Sequence, residues 1–233
     1  MVNIKKKELE KAEEIYDLKR KKIYKTGYSY MEFLKENFKE NTSTQHVLFA
    51  PSWSKDKDNL IEKHSIDIIN TVSKEKKIIF RPHPQSLIKD KKKLNLISNK
   101  FNKNEKFLYN RDIHNVEPIF NSSILITDNG GMALEYSLIF RKPVIFINYR
   151  DKIHNENYKE IKLKPIQDDF KERFGISIDT DEISNLNNII DNALRNFKQL
   201  DTEYNKFLQE HQIIIDKPSV KITEIIKNIL GKK

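Results

Sequence analysis

Residues 124–147 constrain the fold more than any other stretch. Ile124-Leu125-Ile126 is short, apolar and partly β-branched, as a buried parallel strand requires. Thr127-Asp128-Asn129 then supplies turn and cap chemistry, followed by the adjacent pair Gly130-Gly131 in a chain with only five glycines. From Met132 the apolar period changes: Met132, Leu134, Leu138 and Ile139, with small Ala133 and Ser137, predict a helix packed on a sheet and ended before Pro143. Val144 to Ile147 is the next strand. A helix begun this way aims free N–H groups and the positive end of its dipole at whatever lies above Gly130, which favours a phosphate or diphosphate. On this segment alone an ordinary βα turn fits equally well.

The same alternation runs through the middle of the chain. Strand candidates cover 47–50, 77–80, 106–109, 124–127 and 144–147, with helices around 59–72 and 88–99 and from Met132. This pattern predicts an α/β fold, a doubly wound, Rossmann-like parallel sheet with right-handed crossovers and extra N- and C-terminal helices. Further helices are expected over 5–22, 31–38, 181–197, 204–208 and 218–230, an edge strand over 174–178, and loops over 41–44 and 148–162. The expected division is a helical linker segment over 1–44 and a nucleotide-diphosphate-binding domain over 45–233.

Composition removes several classes. Hydrophobic residues are 37% and charged residues 33%, low for a compact globule, so polar or helical flanks are expected. The net charge of +9 suits nucleic acid, an anionic membrane surface or phosphorylated substrates. The basic run 89–93 has no interleaved aromatic platform, which argues against a nucleic-acid partner. Cysteine is absent, which excludes disulfides, thiolate metal sites and cysteine nucleophiles. His46, His64, His114, His154 and His211 lack metal-ligand spacing with carboxylates and read as surface or packing residues. Asp56-Lys57-Asp58 resembles the start of a calcium loop without its glycine and terminal glutamate, hence a solvated turn. Neither metal nor cofactor is expected. The N-terminus has no apolar signal region and no run is long enough to span a bilayer, so the expectation is a cytoplasmic chain, peripheral at most on the inner membrane face.

Ligands of such sheets bind beyond the carboxyl ends of the strands. After the first strand stand Pro51, Ser52 and Trp53; after the second, Arg81-Pro82-His83-Pro84; after the fourth, Thr127, Asp128, Asn129, Gly130 and Gly131. Arg81 is suited to bidentate contact with phosphate oxygens. His83, restrained by prolines on both sides, is the right type for a general acid or base or a donor to phosphate; alternatively it only caps a strand end. Glu135 fits a carboxylate bonded to ribose hydroxyls, or a first-turn glutamate favoured by the helix dipole. Ser52 and Trp53 border the base or the diphosphate, with packing the alternative for Trp53.

These pieces together resemble the C-terminal, donor-binding half of a GT-B enzyme, most closely the CDP-glycerol glycerophosphotransferase family of teichoic-acid and capsule synthesis. The resemblance rests on Thr26-Gly27-Tyr28-Ser29-Tyr30, Val47-Leu48-Phe49-Ala50-Pro51-Ser52-Trp53, Arg81-Pro82-His83-Pro84, and Ile126-Thr127-Asp128 leading to Lys142-Pro143-Val144-Ile145-Phe146. It implies metal-independent transfer of glycerol phosphate to a cell-surface polymer. An acceptor hydroxyl attacks the β-phosphorus of CDP-glycerol and CMP leaves, with Arg81, His83 and the Gly130-Gly131 backbone stabilising the phosphate. Asn129-Gly130-Gly131 with Glu135 departs from that family and is more similar to UDP-N-acetylglucosamine 2-epimerases, so a UDP-sugar is the alternative donor and a non-catalytic nucleotide-binding or interaction module a third reading. Residues 1–25 resemble the tail of an acceptor domain, which implies an N-terminal acceptor domain or a partner chain.

Overall fold

The computed structural model describes residues 3–38, 46–150, 156–197 and 201–231. The loop expected over 41–44, part of that over 148–162, and His154 lie outside them. Two compact units are present: one comprises 1–38, 153–169 and 199–233, the other 39–152 and 170–198. In chain order the elements are α1 (Asn3–Ile15), α2 (Ser29–Asn37), β1 (His46–Phe49), α3 (Leu60–Lys63), α4 (Ser65–Ser73), β2 (Ile78–Phe80), α5 (Pro84–Lys89), α6 (Lys91–Phe101), β3 (Phe107–Tyr109), α7 (Glu117–Phe120) and β4 (Ser122–Thr127). They continue with α8 (Met132–Phe140), β5 (Val144–Asn148), α9 (Ile166–Phe174), β6 (Gly175–Asp179), α10 (Leu186–Asn196), α11 (Asp201–Glu210) and α12 (Pro218–Leu230).

The central unit is the α/β layer structure that the alternation predicts. Its six strands are all parallel in the order β3-β2-β1-β4-β5-β6. Strand periodicity divides the apolar side chains between two faces. Val47, Phe49, Ile78, Phe80, Ile124, Ile126, Ile145 and Ile147 pack with Ile68, Ile69 and Val72 of α4, Leu94 and Ile97 of α6 and Leu186 and Ile190 of α10. The intervening Leu48, Ile79 and Leu125 are equally buried, and α8 lies against β4 and β5 with Tyr136 fully buried. Tyr136 resolves its polar end by donating to the Ser122 carbonyl oxygen at 3.1 Å.

Helix boundaries differ from expectation where local chemistry intervenes. The helix expected over 59–72 is two, separated at His64 (φ −123°, ψ −8°). The one expected from residue 88 begins earlier, at Pro84, with His83 as its N-cap, and is divided at Asp90. In the other unit, α1 stops at Ile15 and not at residue 22. Asp17 turns left-handed (φ 47°), and Glu13 accepts from the backbone N–H of Lys21 at 3.0 Å. Four consecutive cations, residues 19–22, then continue as non-helical chain, which relieves like-charge contacts one turn apart. Gly27 (φ 103°) is a position where glycine is required, since a Cβ there would lie 2.7 Å from the Ile214 carbonyl oxygen and 2.8 Å from Pro218.

Candidate functional site

The strand order reverses between β1 and β4, the position at which open α/β sheets bind ligands. The ends of β2, β1 and β4 are neighbours, so the turns bearing His83, Ser52 and Asn129 leave the sheet within about 10 Å of one another at the usual inter-strand spacing. Sequence-distant turns are thereby brought to one rim.

Side chains between these turns hold them together. The N–H of Ser52 donates to Asp128 Oδ1 at 2.8 Å, and Thr127 Oγ1 donates to the Ala50 carbonyl oxygen at 2.7 Å. Both acceptor and hydroxyl are buried, Asp128 at 6% and Thr127 at 0% exposure. Their polar groups therefore brace the crevice. Gly130 sits against this brace, where a Cβ would be 3.4 Å from Thr127 Oγ1 and 3.5 Å from Ser52 Cβ.

The glycine pair does not serve a strained turn. Gly131 has φ −61° and ψ −24°, and Gly130 has no positive φ. Above Gly131 a Cβ would meet nothing within 4 Å. What Gly131 keeps clear is the approach to the first turn of α8. Among the described residues, the N–H groups of Asn129, Gly130, Gly131 and Met132 have no protein acceptor, the donor array of a helix start. Asn129 is exposed, Glu135 is half-buried in the first turn of α8, and Ser52 and Trp53 are half-buried beyond β1.

His83 is exposed and its Nδ1 accepts from the N–H of Gln85 at 3.1 Å, capping α5. An accepting Nδ1 places the proton of the neutral imidazole on Nε2. The ring is thus oriented by its own helix and carries its donor proton on Nε2. The sequence alternative was that His83 only caps a strand end; what it caps is the start of α5.

Arg81 is buried at 8% exposure. Its Nη1 donates to Asn110 Oδ1 and to the carbonyl oxygens of Asp112 (3.1 Å) and Asn115 (2.8 Å), and its Nη2 to that of Ile113 (2.7 Å). The guanidinium therefore organises the loop that follows β3.

Sequence reasoning missed residues beyond β5. Asp58, Tyr149 and Arg150 border a cavity of about 140 Å³ with Ser54, Asn59 and Asp128. A second of about 290 Å³ is lined by Asp128, Asn129, Asn148, Tyr149, Arg150 and Lys171. Tyr149 donates its hydroxyl to Asp58 Oδ1, and Arg150 Nη2 lies 2.5 Å from Asp58 Oδ2. The Tyr149 bond, helped by Arg150, holds the Asp58 carboxyl below its ordinary range, and the same bond pushes the Tyr149 phenol up. The signal was available, since Tyr149 and Arg150 directly follow a strand, yet their stretch reads as an undifferentiated polar loop.

No helix among the described residues is long and apolar enough to cross a membrane. No curated protein matches the sequence. Among solved structures, a putative UDP-N-acetylglucosamine 2-epimerase from Listeria monocytogenes is similar over 96% of this chain and 58% of its own, at 14% identity and a TM-score of 0.51. Two structures of the wall teichoic acid polymerase TagF are similar over 88% of this chain, at 16% and 17% identity, with TM-scores of 0.46 and 0.45. The chain spans 46% and 47% of those two TagF chains. The epimerase likeness agrees with the fold derived above. The model of the CDP-Glycerol:Poly(glycerophosphate) glycerophosphotransferase family matches residues 5–223, nearly the whole sequence, and to that family the chain belongs.

Proposed function

We propose that the central unit binds the nucleoside-diphosphate donor, CDP-glycerol, in a transfer of glycerol phosphate to a cell-surface polymer. One observation carries the reading: at the reversal of strand order, the N–H groups at the start of α8, which have no protein acceptor among the described residues, stand on the same rim as the exposed His83. In the transfer, a hydroxyl oxygen of the acceptor bonds to the β-phosphorus, the bridging P–O bond breaks, and CMP leaves with the hydroxyl's proton taken up on its phosphate. Negative charge grows on the phosphate oxygens, and donors fixed before the reaction lower its barrier. His83 donates from Nε2 to those oxygens, the backbone of Asn129 to Met132 receives the diphosphate, and Ser52, Trp53 and Glu135 border the nucleoside. Arg81 acts indirectly, by holding the loop over 110–115. The acceptor is brought by a further domain or a partner chain, at the inner face of the membrane.

Calorimetric titration with CDP-glycerol, CDP, UDP and UDP-N-acetylglucosamine tests this. Preference for CDP-glycerol is the expected result. Preference for the UDP-sugar would favour the isomerase-like reading suggested by Asn129-Gly130-Gly131 and Glu135, and no nucleotide binding would favour an interaction module.

A further inference from the structure

The sequence offered Arg81 as the cation for the donor phosphates, but that guanidinium is buried and already donates to the Asn110 side chain and three loop carbonyls. A different arginine stands open at the crevice. Arg150 follows β5, the strand beside β4, and its side chain is 61% exposed at the edge of the 290 Å³ cleft. It shares that cleft with Asn129, whose N–H has no protein acceptor among the described residues, and with Lys171.

Among the described residues, the acids lining these cavities with Arg150 already have donors. Asp128 accepts from the N–H of Ser52, Asp56 from that of Asp58, and Asp58 from the Tyr149 hydroxyl. Lys171 donates to Asn148 Oδ1 at 2.7 Å, keeping its ammonium group at the cleft. Of Arg150's five N–H donors, the contact with Asp58 Oδ2 engages Nη2, and a planar guanidinium can hold a carboxylate on one edge while presenting another to a phosphate. The rim of α8 ends at Asn129, which lines the same cleft, so a diphosphate received there extends toward Arg150.

We propose that Arg150 grips the phosphates of the nucleoside-diphosphate donor, and that Asp58, itself held by Tyr149, positions the guanidinium at the cleft before the donor arrives. This rests on the donor-binding reading of the same unit. It separates two roles that the sequence merges: Arg81 shapes a loop, and Arg150 meets the ligand.

Calorimetry on the full chain with CDP and with cytidine tests it. Arg150→Ala is expected to weaken CDP binding about ten-fold or more, the scale of a lost charge-assisted contact, and to leave cytidine binding unchanged. Arg150→Lys restores part of the loss, because a point charge lacks the fork. Asp58→Asn breaks the ion pair but keeps the cation, and is expected to cost clearly less CDP affinity than Arg150→Ala. Wild-type CDP affinity in Arg150→Ala would overturn the proposal, as would equal losses for CDP and cytidine, or an Asp58→Asn loss as large as that of Arg150→Ala. If the unsubstituted chain binds no nucleotide, the donor reading fails and this proposal fails with it.

Discussion

The N–H of Ser52 donates to Asp128 Oδ1 at 2.8 Å, joining the turn after β1 to the turn after β4 where the strand order reverses. Asp128 is 6% exposed, so this bond forms away from water. Removing the acceptor leaves a donor unsatisfied, which costs roughly 1–3 kcal/mol. Asp128→Ala should lower stability to urea by that amount and weaken CDP binding. Asp128→Asn, which keeps an oxygen acceptor, should lose less than half as much in the same denaturation.

For Arg81, the carbonyl oxygens of Asp112, Ile113 and Asn115 depend on one guanidinium. Arg81→Ala should destabilise the central unit by about 2–4 kcal/mol, the range for breaking a buried charged network. Hydrogen exchange read by mass spectrometry should rise first over residues 110–117. Arg81→Lys should recover little, since an ammonium cannot span acceptors on both sides of the fork.

His83 separates stability from chemistry. Its Nδ1 caps α5 through the N–H of Gln85. Asparagine is a strong N-cap, so His83→Asn should retain the melting temperature while CDP-glycerol turnover, measured with the acceptor machinery supplied, falls about a hundred-fold or more, the scale of losing one fixed donor to developing negative charge. His83→Ala should lose the cap as well, about 1 kcal/mol. Full turnover in His83→Asn would remove the imidazole from the mechanism.

Gly131 is the cleanest probe of the anion approach, because a Cβ there meets no protein atom within 4 Å and the backbone is right-handed. Gly131→Val should fold with a stability change below about 1 kcal/mol and reduce CDP affinity at least ten-fold. Normal affinity would show that the diphosphate lies elsewhere.

A pH dependence follows from two histidines of the central unit. Burial lowers the pKa of both His46 and His64 below 6.5, with Lys77 adding to the effect at His46 while Asp67 and Asp58 oppose it at His64. For a base whose folded pKa is depressed, the unfolded chain takes up protons first as pH falls. Stability is therefore full above 6.5 and declines below it. Urea midpoints measured between pH 8 and 5 should fall in that direction, and His46→Gln with His64→Gln should flatten the slope.

The positions of the strands were legible because each is a short apolar run bounded by polar turns, and β6 was legible as an edge strand from Phe174-Gly175-Ile176-Ser177-Ile178, one residue ahead of the strand observed. The start of α12 at Pro218 and its stop at Gly231 also follow from local chemistry. His83, Ser52 and Asn129 could be placed on one rim because strand ends in parallel sheets share a side. The break at His64 was not legible: its ring packs edge-on to Tyr149 with centroids 4.8 Å apart, a contact between residues far separated in sequence.

Sequence by itself determined the parallel α/β architecture, the family and the turns that form the crevice, since all three are written in short-range periodicity and contiguous motifs. Only the tertiary structure decided which arginine is enclosed by a loop and which stands at a cleft, and that Gly131 leaves open space on an unstrained backbone. Those outcomes depend on where carbonyls of residues 112–115 and the carboxylate of Asp58 arrive after folding. A guanidinium's partners are set by chain segments brought to it through space, and no local pattern encodes them.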